Sequence, residues 1–148
     1  MEACVFCEIV AGREPASVVY RDESCIAFMD TTPVNAGHLL IVPMKHVAYL
    51  ADLDPQTGAA LFKIAQRLSA AVRESGLRAE GINLFLADGV AAGQEVFHVH
   101  LHILPRFPGD GFGHRFPATY GQRPTREELD SNASAIKRAM GTSGETLS

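Results

Sequence analysis

From Phe97 to Ile103 the chain alternates strictly between apolar residues and histidine: Phe97-His98-Val99-His100-Leu101-His102-Ile103, followed by Leu104-Pro105. Period-two alternation is the pattern of a half-buried β-strand, because successive side chains point to opposite faces of a sheet. The pattern predicts a strand over 96–104, with Phe97, Val99, Leu101 and Ile103 in a core and three imidazoles on the opposite face. A fold that contains this strand must supply partners for three titratable groups on one surface.

The rest of the chain bounds what that fold can be. Its 148 residues suit one domain, expected over 1–140 with a flexible tail over 141–148, and at this length about two-thirds of the unfolded surface is buried. A net charge of −4 argues against a nucleic-acid binder, which needs a basic face for phosphates. No apolar run is long enough to span a bilayer and no leader pattern opens the chain, so a cytoplasmic protein with no membrane partner is expected. Three cysteines, an odd number, speak for reduced thiols rather than a disulfide framework.

Local signals lay out the elements. Val5 to Ala11 reads as a short helix closed by Gly12, and Ser17–Arg21 and Cys25–Met29 as a hairpin turning through Asp22-Glu23-Ser24. His38 to Pro43 is an apolar strand preceded by the turn residues Pro33, Asn35 and Gly37. Asp54 caps a helix with Pro55 in its first turn and Leu61, Ile64, Ala65, Leu68 and Val72 at helical spacing, ending near Gly76. Gly81 to Leu86 is a fourth strand, and Gly89 to Gly93 a turn before the histidine strand. Thr125 and Glu128 form a capping box ahead of Leu129, Ala133, Ile136 and Met140. Short connections favour antiparallel pairing, so the fold class is α+β: a five-stranded antiparallel sheet with a long helix and a C-terminal helix.

The three histidines admit three readings. They can be structural, each bonded to backbone. They can bind one metal ion, although neighbours on a strand face stand about 6.5–7 Å apart at Cα and three reach one ion only with strain. Or His100 is a nucleophile, attacking phosphorus from a neutral ring whose other nitrogen is held by an acceptor. The Gly89–Gly93 loop and Gln94 then supply donors for a phosphate.

The segment Gly93-Gln94-Glu95-Val96-Phe97-His98-Val99-His100-Leu101-His102-Ile103-Leu104 resembles the His-φ-His-φ-His-φ-φ motif of the histidine triad (HIT) superfamily, φ being apolar. The likeness extends through Cys4-Val5-Phe6-Cys7-Glu8-Ile9-Val10, Asp30-Thr31-Thr32-Pro33, Gly37-His38-Leu39-Leu40-Ile41-Val42-Pro43 and Lys45-His46, covering about residues 4 to 108 in the family's order. It implies a HIT-like fold and a nucleotide-binding hydrolase. Such enzymes act at the α-phosphorus of purine nucleotide conjugates, namely phosphoramidates, aminoacyl adenylates or dinucleoside polyphosphates, through a nucleotidyl-histidine intermediate. His100 matches the histidine that attacks, His102 and Gln94 match phosphate contacts with Gly93 and Glu95 beside them, and His38 matches a histidine near the triad. Asp30 matches the ribose-binding acid with Thr31 as its neighbour, and Val5, Phe6, Ile9 and Phe28 the apolar pocket of the base, although ordinary core packing also suits these four.

Two positions depart from the family pattern. Ala87 stands where many members carry asparagine, and Glu95 where a serine often assists the leaving group. The Cys4-x-x-Cys7 pair reads as a zinc half-site or as two free thiols. The resemblance implies zinc held by Cys4, Cys7, His46 and His98, as in some bacterial members, and a homodimer joined through the long helix and a sheet edge. Cys25 reads as core and His114 as surface or substrate rim. A sensor or scaffold that binds a nucleotide with little turnover is the rival function.

Overall fold

The structure, a computed structural model, describes residues 3–142. The chain divides into two compact units, one ending at Phe112 and the other beginning at Gly113.

The first unit opens with α1 (Val5–Val10), which ends one residue before the predicted boundary, at Ala11. Gly12 follows with φ +76°, a left-handed turn that glycine adopts without a Cβ clash. Six residues cannot hold a helix by propensity alone. Phe6 anchors this one by burying its ring against Ile26, Phe28, Leu40 and Val42. Then come β1 (Val18–Arg21) and β2 (Cys25–Met29), joined where the Asp22 carboxylate accepts the backbone N–H groups of Ser24 and Cys25 at 2.7 and 2.8 Å. After β3 (Leu39–Pro43), the long helix α2 (Pro55–Glu74) starts at Asp54, whose carboxylate accepts the Thr57 N–H at 2.9 Å. β4 (Gly81–Phe85) and β5 (Leu101–Arg106) complete an antiparallel sheet of order β1-β2-β3-β5-β4.

The sheet separates two apolar layers by strand alternation. Cys25 and Ala27 of β2, Leu39 and Ile41 of β3, and Leu101 and Ile103 of β5 meet Leu61, Ile64, Ala65 and Val72 of α2. Burying each large side chain there contributes about 1.5–3 kcal/mol. The intervening residues Ile26, Phe28, Leu40 and Val42 face α1 instead. Because the period is two, His102 falls on the α1 face of β5.

The histidine strand itself needs correction. Alternation predicts a strand from Val96, but β5 begins at Leu101. In the β3–β5 register Leu40 pairs with His102 and Ile41 with Leu101; two further steps each would bring Pro43 opposite Val99. Proline has no N–H to give a ladder. The Val99 N–H turns instead to the Val47 carbonyl at 2.8 Å. The chain therefore bends at 96–98 and runs outside the ladder to His100, and Phe97, expected in the core, is 37% exposed with its ring 6.0 Å from that of Tyr49.

In the second unit, α3 (Arg126–Thr142) starts at the predicted capping box. Glu128 N–H donates to the Thr125 hydroxyl at 3.1 Å, and Thr125 N–H to the Glu128 carboxylate at 2.8 Å. The helix includes Gly141 and Thr142, so it runs past the start of the expected tail, whose residues 143–148 lie outside the described ones. His114 is exposed, its ring 5.9 Å from that of Phe116. Among the described residues no helix is long and apolar enough to cross a membrane.

Candidate active site and metal centre

One rung of the sheet sets the site. Phe28 of β2 pairs with Leu40 of β3, Leu40 with His102 of β5, and His102 with Phe85 of β4. His102 thus stands on the α1 face with an aromatic ring on one side, 5.5 Å from Phe85. His100 lies 5.0 Å from His102 and 5.0 Å from Phe6, ring centre to ring centre. Through Phe6, helix α1 therefore packs edge-on against His100.

Backbone groups dictate which nitrogen of each ring carries a proton. Val34 N–H donates to His38 Nδ1 at 3.0 Å, so a neutral His38 keeps its proton on Nε2. That proton points at His102 Nδ1, 2.9 Å away, with Asp30 Oδ2 at 3.4 Å. His102 accepts on Nδ1 and therefore carries its own proton on Nε2. His100 is tied the other way: its Nδ1 lies 2.8 Å from the His98 carbonyl, which can only accept, so Nδ1 is the donor and Nε2 holds a lone pair. Neutrality is favoured electrostatically. Burial, reinforced by His100 and His38, pushes His102 down to about 4. Burial also lowers His38, with Asp30 partly offsetting it.

These rings open on a cavity of about 550 Å³, within the range of small-molecule sites. His100, His102, Gly93 and Glu95 line one part, Asp30, Thr31 and Thr32 another, and Val5, Phe6, Ile9 and Phe28 an apolar part. The structure brings these predicted residues together. It places two others differently. Gln94 is buried and its amide faces inward: Oε1 accepts the Gly89 N–H at 2.8 Å, while Nε2 donates to the carbonyls of Ala48 at 2.8 Å and Val96 at 3.1 Å. Its side chain fastens the Gly89–Gly93 loop to the 44–48 loop and does not line the cavity. His38 stands behind His102 and positions it. Glu14, Pro15 and Ala16 also line the cavity. Sequence reasoning missed them, although they lie only a few residues beyond the helix whose apolar face was read as a pocket.

A second cluster lies beside the first. Ligand atoms of Cys4, Cys7, His46 and His98 all lie within 4.8 Å of one another. Zinc bond lengths of about 2.3 Å to sulfur and about 2.0–2.1 Å to nitrogen, at tetrahedral angles, require S···N edges of about 3.5–3.6 Å and N···N edges of about 3.3–3.4 Å. Here Cys4 Sγ–His98 Nδ1 is 3.5 Å, Cys7 Sγ–His98 Nδ1 3.6 Å, Cys7 Sγ–His46 Nδ1 3.3 Å and His46 Nδ1–His98 Nδ1 3.2 Å. The donor set and its spacing fit zinc. His98 is fully buried, and its Nε2 donates to the Pro43 carbonyl at 2.8 Å, which leaves the Nδ1 lone pair for a metal. Cys25 stands apart, wholly buried under α2, its thiol pushed up to about 12 chiefly by that burial.

Asp30, His38 and His102 also converge, but the Val34 N–H occupies His38 Nδ1. Binding a cation through Nε2 would then require an imidazolate, so this trio is a hydrogen-bonded relay. Neither the sequence nor the charge pattern pointed to Val34, because its part is played by the backbone.

A profile of the HIT domain family matches residues 11–109. A member of the HIT family from Bacillus subtilis, of known crystal structure, is 34% identical and aligns with a TM-score of 0.85 over 93% of this chain and 96% of that one. The zinc-bound histidine triad family protein of Mycobacterium smegmatis is 39% identical, with a TM-score of 0.72 over 96% of this chain and 98% of that one. The adenylylsulfatase HINT3 of Arabidopsis thaliana is 39% identical over 104 residues, covering 70% of this chain and 52% of that protein.

Proposed function

The chain belongs to the HIT domain family, and on that premise we propose that it is a nucleotide-binding hydrolase acting at the α-phosphorus of purine nucleotide conjugates, within a functional domain over 1–140. The observation that carries this reading is the opposed tautomers of His100 and His102: a lone pair on one ring and an N–H on the next, both at one cavity. His100 Nε2 attacks phosphorus, forming a P–N bond as the bond to the leaving group breaks, and the leaving group takes a proton from solvent. The Nδ1–H stays on the His98 carbonyl, which stabilises the charge the ring acquires. His102 Nε2–H donates to a non-bridging oxygen as negative charge develops there. Water then attacks phosphorus and gives up one proton to solvent, the P–N bond breaks, and a nucleoside monophosphate leaves with His100 neutral again. Asp30 suits ribose hydroxyls, since a carboxylate accepts two hydrogen bonds, and the apolar slot suits the base.

Zinc on Cys4, Cys7, His46 and His98 has a structural part in this proposal. Four protein ligands leave no open position, so the ion would tie α1 to the His98 segment from which His100 hangs. The homodimer also belongs to the proposal. It is supported by edge strand β4, which exposes Leu84 and Phe85, and by Phe62 on the outer face of α2.

The test is an adenosine 5′-phosphoramidate with a fluorogenic amine, followed by intact mass after an acid-free quench. The expected result is turnover and an adenylyl adduct in wild type, both lost in His100→Asn. Equal rates in the two proteins would remove the nucleophile assignment. Tight nucleotide binding without turnover or adduct would favour the sensor reading.

A further inference from the structure

Of the charged residues that line the cavity, Glu14 and Glu95 are left without a task by the nucleotide reading. Glu14 lines it together with Pro15 and Ala16, beyond the end of α1. The route of the chain places it. Phe6 stands beside His100, Ile9 is one turn further along the helix, and the Glu14 N–H returns to the Glu8 carbonyl at 3.3 Å. Glu14 therefore borders the apolar slot at the end away from the histidines, where a base rather than a phosphate would lie. Its cationic neighbours are engaged elsewhere. Arg13 forms a two-pronged pair with Glu8 at 2.7 and 2.8 Å, and Arg21 donates to the Val10 carbonyl at 3.0 Å. Among the described residues no hydrogen bond or ion pair engages the Glu14 carboxylate.

We infer that Glu14 reads the base and makes the cavity selective for guanine over adenine nucleotides. The inference rests on the nucleotide reading of the same cavity. An ionised carboxylate offers two acceptors and no donor. Guanine presents two adjacent donors, N1–H and N2–H, which two carboxylate oxygens can accept in parallel. Adenine sets one donor beside the N1 lone pair, which would face a carboxylate oxygen repulsively, so the same group attracts one base and opposes the other. Because Glu14 is exposed, water competes for it and the discrimination is modest, about tenfold.

The test compares guanosine and adenosine 5′-phosphoramidates of one amine by kcat/KM, and GMP and AMP by calorimetric Kd, in wild type, Glu14→Ala and Glu14→Gln. Wild type should favour guanosine about tenfold, and Glu14→Ala and Glu14→Gln, the latter setting an N–H donor where the N1 lone pair of adenine lies, should each bring the ratio to about twofold or below. Equal use of both bases by wild type overturns the inference, as does a guanosine preference that survives in Glu14→Ala. If neither conjugate is hydrolysed, the hydrolase reading fails alone, and the GMP-to-AMP affinity ratio in wild type and Glu14→Ala decides the part of Glu14. Failure to bind either monophosphate overturns both.

Discussion

Replacing His38 by phenylalanine isolates the relay behind His102. In the native site His38 accepts from Val34 N–H at 3.0 Å and donates to His102 Nδ1 at 2.9 Å. Phenylalanine fills much of the volume and offers neither acceptor nor donor. Each buried group left without a partner costs about 1–3 kcal/mol. The Val34 amide bears most of that, while partly exposed His102 recovers some solvation, so a loss of about 2–3 kcal/mol in stability is expected. For a chain of this length that is roughly 5–10 °C in Tm. The effect on catalysis has a separate origin. His102 would no longer be held with its proton on Nε2, and the competing tautomer turns a lone pair toward the phosphate oxygen. Complete removal of such a donor costs about 10²–10³ in kcat; with the ring still present, about tenfold is expected. His38→Gln keeps an acceptor and a donor on one side chain and should recover most of the lost kcat/KM. Melting curves and kcat/KM on an adenosine phosphoramidate supply both readouts. A phenylalanine variant within twofold of wild type in kcat/KM, or one indistinguishable from the glutamine variant, would refute the relay.

Metal content gives a second test. Protein purified without chelator should carry about one zinc per chain, and a strong chelator or Cys7→Ser should lower Tm by several degrees. Metal-free protein with an unchanged melting point would remove the zinc assignment. Acid stability gives a third. His102 in the folded chain titrates near 4, below its ordinary 6.5, so the unfolded chain takes up the proton first. The stability gained by keeping the ring neutral is complete above about pH 6.5 and is lost as pH falls toward 4. His38 shifts in the same direction. Denaturant melts should show a loss of about 1–2 kcal/mol from pH 7 to pH 4.5, after allowing for solvent at a partly exposed group. A His102→Gln variant with the same loss would show that other groups are responsible.

Much of this molecule is determined by short-range pattern. The hairpin around Asp22, the Asp54 cap, the apolar stripe of α2 and the Thr125–Glu128 box depend on neighbours a few residues apart, and the structure contains each of them. The resemblance through the histidine motif, Asp30 and Cys4-x-x-Cys7 also marked the residues that gather around the cavity and in the Cys4, Cys7, His46 and His98 cluster. Strict alternation nevertheless predicted one strand of three equivalent histidines. The family resemblance implied separate tasks for them, but their separate backbone settings come from tertiary structure, because Pro43, more than fifty residues away, has no N–H to extend the β3–β5 ladder. The freed segment turns to Val47, His98 packs against the Pro43 carbonyl, and His100 borrows the His98 carbonyl. Tautomers likewise depend on backbone groups distant in the chain, such as the Val34 amide. The inward amide of Gln94 and the place of Glu14 at the end of an apolar slot have the same origin: a side chain's chemistry is written in its own residue, but its partner is chosen by the packing of the whole chain.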